Sequence, residues 1–234
     1  MKLILCGGGS GEQNILANQK LNDIIDNTKP LLYVPLAMNE VDYPYDSCLE
    51  WVKEELSYVN IPSIEMVRSF EELVSKNYYD YCAIFIGGGN TYKLLKGIKE
   101  SGAFDKIQEY ISNNGIIMGS SAGAVIFGKN IDIISIMDPN NVGLIDTNGF
   151  DVLLGTSIFP HYMNTKSKLT KEENIERLEK FTSAITTFST INGKVIAIPE
   201  EDAIFLNDGA VEIIGKSSYY EFNAGQSIKK NTLT

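Results

Sequence analysis

Gly115-Ile116-Ile117-Met118-Gly119-Ser120-Ser121-Ala122-Gly123-Ala124-Val125-Ile126-Phe127 reads as a strand, a sharp turn and a helix. The turn, Gly119-Ser120-Ser121-Ala122-Gly123, fits G-x-S-x-G with Ser121 at its centre. A serine on such a turn is thrust out at the carboxyl edge of a sheet with its hydroxyl exposed for attack. The flanking glycines fit because a side chain would clash in a turn this tight. Ser121 is the candidate nucleophile.

A serine nucleophile needs a base, and the chain has a single histidine. His161 therefore has to serve in any Ser-His mechanism. A lone histidine is ordinarily a surface or satisfied core residue. This one follows the apolar run Val152–Phe159, which reads as a strand, at its loop end, where function concentrates. The third member of a relay must orient the imidazole and carry a charge. Ile198-Pro199-Glu200-Glu201-Asp202-Ala203 supplies carboxylates at another strand end. Glu200 is the choice and Asp202 the reserve.

The rest of the sequence agrees with an α/β enzyme. At 234 residues, 44% hydrophobic and 21% charged, the chain suits a single α/β domain spanning 1–234. A net charge of −10 disfavours nucleic acid or an anionic membrane as partner. Cys6, Cys48 and Cys82 are irregularly spaced and form no C-x-x-C pair. With one histidine they build no metal site, so no metal and no cofactor are expected. No signal-peptide pattern and no apolar run of membrane-spanning length is present, which reads as cytoplasmic.

Strand-like runs at Leu3–Cys6, Leu31–Pro35, Ile64–Val67 and Tyr81–Ile86 alternate with helical patterns near 14–26, 45–59, 70–76, 91–99 and 104–113. Such alternation implies a mostly parallel sheet with helices on both faces. After His161 a helix is expected over 169–187. Short strands follow at 195–198, 203–206 and 210–214, the last two joined by Asn207-Asp208-Gly209, a hairpin signal. Tyr219–Asn223 reads as a final strand and 229–234 as a frayed tail.

Ligand sites in such sheets form at the carboxyl ends of strands. Gly7–Gly11, Gly87–Asn90, Ser121 and His161 fall there. Gly7–Gly11 is read as a close-packed turn. The amides of Gly87-Gly88-Gly89-Asn90 suit an oxyanion hole beside a serine, and the Ala122 amide is the expected second donor. Gly89 and Asn90 are taken as substrate contacts.

Gly87-Gly88-Gly89-Asn90-Thr91-Tyr92-Lys93-Leu94-Leu95, Ser120-Ser121-Ala122-Gly123-Ala124, Phe150-Asp151 with Pro160-His161-Tyr162, and Ile198-Pro199-Glu200 together resemble the dipeptidase E family of serine peptidases, relatives of the cyanophycinases. The resemblance runs in order over about residues 80–205. It implies a flavodoxin-like sheet related to class I glutamine amidotransferases, here with a C-terminal β-hairpin extension. It also implies a Ser, His, Glu order landing on Ser121, His161 and Glu200, with Gly88 and Ala122 as oxyanion donors. Members often carry T-R-E-E-R after the histidine, with an arginine suited to an amino-terminal aspartate. Here that stretch reads Thr170-Lys171-Glu172-Glu173-Asn174, and a lysine attracts a carboxylate without the bidentate fork. Lys171 is thus the candidate substrate cation, and aspartyl specificity stays open. The expected substrate is a small peptide, with the chain acting as a monomer or homodimer. An amidase or acyl-transfer enzyme on a non-peptide substrate, or a non-catalytic ligand binder, are the alternatives.

Overall fold

Strand β1 (Lys2–Cys6) is buried along almost its whole length, and so are β2 (Leu31–Val34), β4 (Ile84–Ile86) and β5 (Ile116–Ser120). Side chains alternate between the faces of a sheet, so consecutive buried residues mean that both faces are covered. The computed structural model, which describes residues 1–232, shows this sheet directly. With β3 (Ile64–Met66), β8 (Ala203–Asn207) and β9 (Ala210–Ile214) it has seven strands in the order β3-β2-β4-β5-β1-β8-β9. The pairs from β3 to β1 are parallel, and β8 and β9 add antiparallel strands at one edge. The β8–β9 turn places Asp208 at φ 48 and Gly209 at φ 88, the left-handed pair that Asp-Gly turns favour.

The helices are α1 (Ile15–Ile24), α2 (Tyr45–Glu55), α3 (Phe70–Ser75), α4 (Thr91–Ser101), α5 (Ala103–Ser112), α6 (Ala122–Val125) and α7 (Lys171–Asn192). Helix α6, which follows the Ser121 turn, is shorter than its apolar run suggested. Phe127 and Gly128 N–H groups bond back three residues, to Ala124 and Val125, which tightens and ends the helix. Helix α7 is longer than expected, begun by a capping box between Thr170 and Glu173.

A second sheet was not anticipated. It comprises β6 (Ser157–Phe159), β7 (Val195–Ala197), β10 (Ser218–Asn223) and β11 (Gln226–Asn231), in the order β11-β10-β7-β6. Two expectations are corrected by it. The apolar run Val152–Phe159 is strand only from Ser157, because Leu154 (φ 48) and Gly155 (φ 91) form a turn with Leu154 exposed. The expected frayed tail is β11 as far as Asn231, laid against β10. Main-chain hydrogen bonds and a Lys230–Glu221 ion pair at 3.0 Å hold it without apolar burial. Leu233 and Thr234, also placed in that tail, lie outside the described residues. No helix among the described residues is long and apolar enough to cross a membrane.

Candidate active site

Two sheets meet at the site. Strand β5 delivers Ser121, one residue past its carboxyl end, at φ 52 and ψ −114. A non-glycine residue in that region carries strain of about 1–3 kcal/mol. Its neighbours enforce it: a Cβ on Gly119 would lie 2.2 Å from Gly123 O, and one on Gly123 would lie 2.1 Å from Ile86 O. The turn packs too tightly for any residue but glycine at either flank.

The histidine and the glutamate come from the second sheet. Strands β6 and β7 run parallel with Phe159 beside Ala197. His161 and Glu200 follow just beyond those positions and so emerge side by side. Ser121 Oγ and His161 Nε2 are 2.9 Å apart. His161 Nδ1 and Glu200 Oε1 are 2.8 Å apart. The Glu200 carboxyl is held at about 2, chiefly by its hydrogen bond to His161, with Lys166 assisting and burial opposing. A carboxylate only accepts, so Nδ1 donates to it; in the neutral imidazole Nε2 is then left to accept from the Ser121 hydroxyl. The arrangement can deprotonate a serine and hold the imidazolium that results.

The glycine turn after β1 supports the relay from below. Gly8 (φ 98) has no room for a side chain, since a Cβ would lie 2.2 Å from His161 Cε1. Gly7 O accepts from His161 N at 3.0 Å, and Gly9 N donates to Glu200 O at 3.0 Å. The buried Glu55 carboxylate ties the turn to α2 by accepting from Gly11 N and Asn14 Nδ2, each at 2.7 Å. This is the close-packed role expected of the turn at Gly7, Gly8 and Gly9, whereas Gly11 has open space beside it, and Gly8, Gly9 and Ser10 also line the cavity over Ser121.

Asp202, the reserve acid, faces elsewhere. Its Oδ1 accepts from Lys216 N and Ser217 N at 3.2 and 3.3 Å, and its carboxyl is buried against Gly215. Burial raises it to about 6. Lys166 and Asn164 were missed by sequence reasoning. Lys166 Nζ reaches Glu200 Oε1 at 2.9 Å, and Asn164 Oδ1 accepts from Glu200 N at 2.7 Å. The polar run Asn164-Thr165-Lys166 directly after the histidine was the available signal.

A cavity of about 610 Å³ opens over Ser121 and His161. Gly88 and Gly89 line it, as expected, and an ideal Cβ on Gly88 would sit 3.2 Å from Ser121 Cβ. Ala122 is buried directly after the serine. Among the described residues neither the Gly88 nor the Ala122 N–H is bonded to a protein acceptor outside regular secondary structure. Two expected substrate contacts are not brought to the cavity. Asn90 caps α4, its Oδ1 accepting from Lys93 N at 2.9 Å and its Nδ2 donating to Pro139 O at 2.9 Å. Lys171 is exposed on the first turn of α7 and is not among the residues that line the cavity.

Known proteins resemble this chain over most of its length. The model of peptidase family S51 matches residues 3–214. Peptidase E of Haemophilus influenzae is 29% identical over 213 residues, covering 89% of this chain and 87% of that protein. Peptidase E of Salmonella arizonae is 26% identical over 220 residues, covering 91% and 86%. A crystal structure from Listeria monocytogenes EGD-e, provisionally described as a peptidase E, superposes with a TM-score of 0.69 at 25% identity over 92% of this chain and 98% of that one. A peptidase from an acI-B1 actinobacterium shares the fold, with a TM-score of 0.68 at 16% identity. The chain belongs to peptidase family S51 and is a serine-type peptidase.

Proposed function

We propose that the protein hydrolyses small peptides by acyl transfer through Ser121, with His161 as base and Glu200 as its orienting acid. The observation that carries this is the unbroken relay from Ser121 Oγ to His161 Nε2 at 2.9 Å and from His161 Nδ1 to Glu200 Oε1 at 2.8 Å. Ser121 Oγ attacks the scissile carbonyl as its proton passes to Nε2. The oxyanion lies against the N–H groups of Gly88 and Ala122, each worth about 3–4 kcal/mol in comparable enzymes. Collapse of the tetrahedral intermediate breaks the C–N bond, and the imidazolium protonates the departing amine. Water, deprotonated by the same imidazole, then releases the acyl group and regenerates Ser121.

No metal or cofactor has a part in these steps. Cys6, Cys48 and Cys82 are buried and unpaired, which favours a reducing compartment such as the cytoplasm. The test is covalent labelling with a fluorophosphonate. Wild type should label at Ser121 and hydrolyse dipeptides, whereas Ser121→Ala should do neither. Retention of more than about a tenth of the activity in the alanine variant would remove Ser121 from the role, since loss of such a nucleophile costs on the order of 10⁶ in turnover.

A further inference from the structure

The cavity beside Ser121 is walled by aromatic side chains. Tyr33, Tyr43 and Trp51 line it together with Met38 and Pro44. Tyr33 and Trp51 both rest on Phe85 of β4, with ring centroids 5.7 and 6.4 Å from it. The wall is therefore braced by the strand that leads into Gly87–Gly89. Among the described residues no lysine or arginine lines the cavity, and Asp42 is its only carboxylate. The neighbouring cations already have partners. Lys93 Nζ donates to Met38 O, Lys166 Nζ to Glu200 Oε1 and Arg177 Nη1 to Asn164 O, while Arg68 pairs with Asp46.

Building on the serine-peptidase reading above, we infer that this cavity receives the side chain on the amino-terminal side of the scissile bond, and that it selects an apolar or aromatic side chain over an acidic one. An aspartate side chain placed there would lose its hydration without gaining a cation, and would meet Asp42 as a like charge. A phenylalanine or leucine side chain would exchange water for rings. The volume suits such a ligand, since small-molecule pockets run from about 300 to 1,000 Å³. Discrimination on apolar contact alone is worth roughly 10–200-fold.

The test is kcat/KM for the unblocked dipeptides Phe-Leu, Leu-Leu, Ala-Leu, Lys-Leu and Asp-Leu, with fluorophosphonate labelling of Ser121 run alongside. Phe-Leu and Leu-Leu should exceed Asp-Leu by at least about tenfold. Trp51→Ala should lower Phe-Leu relative to Ala-Leu by about tenfold. Trp51 is 37% exposed, so this truncation is compatible with a wild-type melting curve, which is checked. Asp42→Lys, on the exposed rim, should raise Asp-Leu relative to Ala-Leu several-fold, and more so at low salt.

The outcomes separate cleanly. If Ser121 labels and Asp-Leu or Lys-Leu is the best substrate, the pocket inference is overturned and the peptidase mechanism stands. The same holds if the Phe-Leu to Ala-Leu ratio ignores Trp51→Ala, or if Ser121 labels but none of the panel turns over. If Ser121 neither labels nor supports turnover, the parent mechanism fails and the inference fails with it.

Discussion

At the scale of single residues, Ser121 shows how much conformation and chemistry are bound together. Its φ of 52 is a cost imposed by the turn, and glycine would relieve it. Ser121→Gly and Ser121→Ala should both lose hydrolysis, but the glycine variant should melt higher, by the equivalent of about 1 kcal/mol. Calorimetry of the pair checks this; equal melting points would mean that the turn is unstrained. Glu200→Gln should lower kcat by roughly 10⁴, because an amide can donate to Nδ1 and so favour the wrong tautomer. Glu201→Gln should do far less. Glu201 reaches the relay only indirectly, by accepting from Asn164 Nδ2 at 3.1 Å while Asn164 holds the Glu200 amide. Steady-state kinetics of both variants rank the two carboxylates, and the reverse order would move the acid to Glu201. Ser121, His161 and Glu200 were legible in the sequence because each is marked locally: a glycine-flanked serine, a lone histidine, a carboxylate at a strand end. Lys171 was not, since the direction of a side chain after a long loop depends on the path of the loop and not on its residues. The aromatic wall was also hidden. Trp51 falls within the helical apolar pattern over 45–59, which does not distinguish it from its neighbours, yet it is 37% exposed in the cavity.

Among the elements, α4 illustrates a residue that looked functional and proves to be architectural. Asn90 stands beside the glycine turn, but its side chain is spent on the helix start and on Pro139. Asn90→Ala should therefore cost about 1 kcal/mol in urea unfolding while leaving KM for a good dipeptide within about twofold, as expected of a residue that does not touch substrate. A large rise in KM with unchanged stability would restore Asn90 to the binding site. The parallel strands were legible because burial on both faces writes them as continuous apolar runs. The β8–β9 hairpin was legible from Asn207-Asp208-Gly209. Strand β11 was not: it is exposed along its length, so no period-two pattern marks it, and its Lys229 and Lys230 imitate a solvated tail. The partition into two sheets was equally invisible, because which strand pairs with which is a long-range choice.

For the whole molecule, two carboxylates near the meeting of the sheets should give stability opposite slopes with pH. Glu200, lowered to about 2 by its partners, contributes stability above its unfolded value of about 4.3 and loses it as pH falls toward 2. Asp202, raised to about 6 by burial, behaves in reverse: its contribution is complete below about 3.9 and is lost as pH rises through 6. Asp202→Asn keeps an oxygen for the Lys216 and Ser217 amides and removes the charge. Wild type should thus lose up to about 3 kcal/mol relative to the variant between pH 4 and pH 7, read from urea midpoints across that range. A constant difference would show that Asp202 does not titrate there. Strand β1 has one further consequence, for the order in which the chain is made. It lies between β5 and β8, and the turn after it bonds to His161 and Glu200. During synthesis β1 therefore waits for neighbours made more than a hundred residues later: Leu3 pairs with Ile117 on one side and Leu206 on the other. A nascent chain halted before β8 carries Ser121 and His161 without the strand that locks their shared support. It should be inert toward a fluorophosphonate, so that the capacity to cut peptides arrives only after β8 has been made.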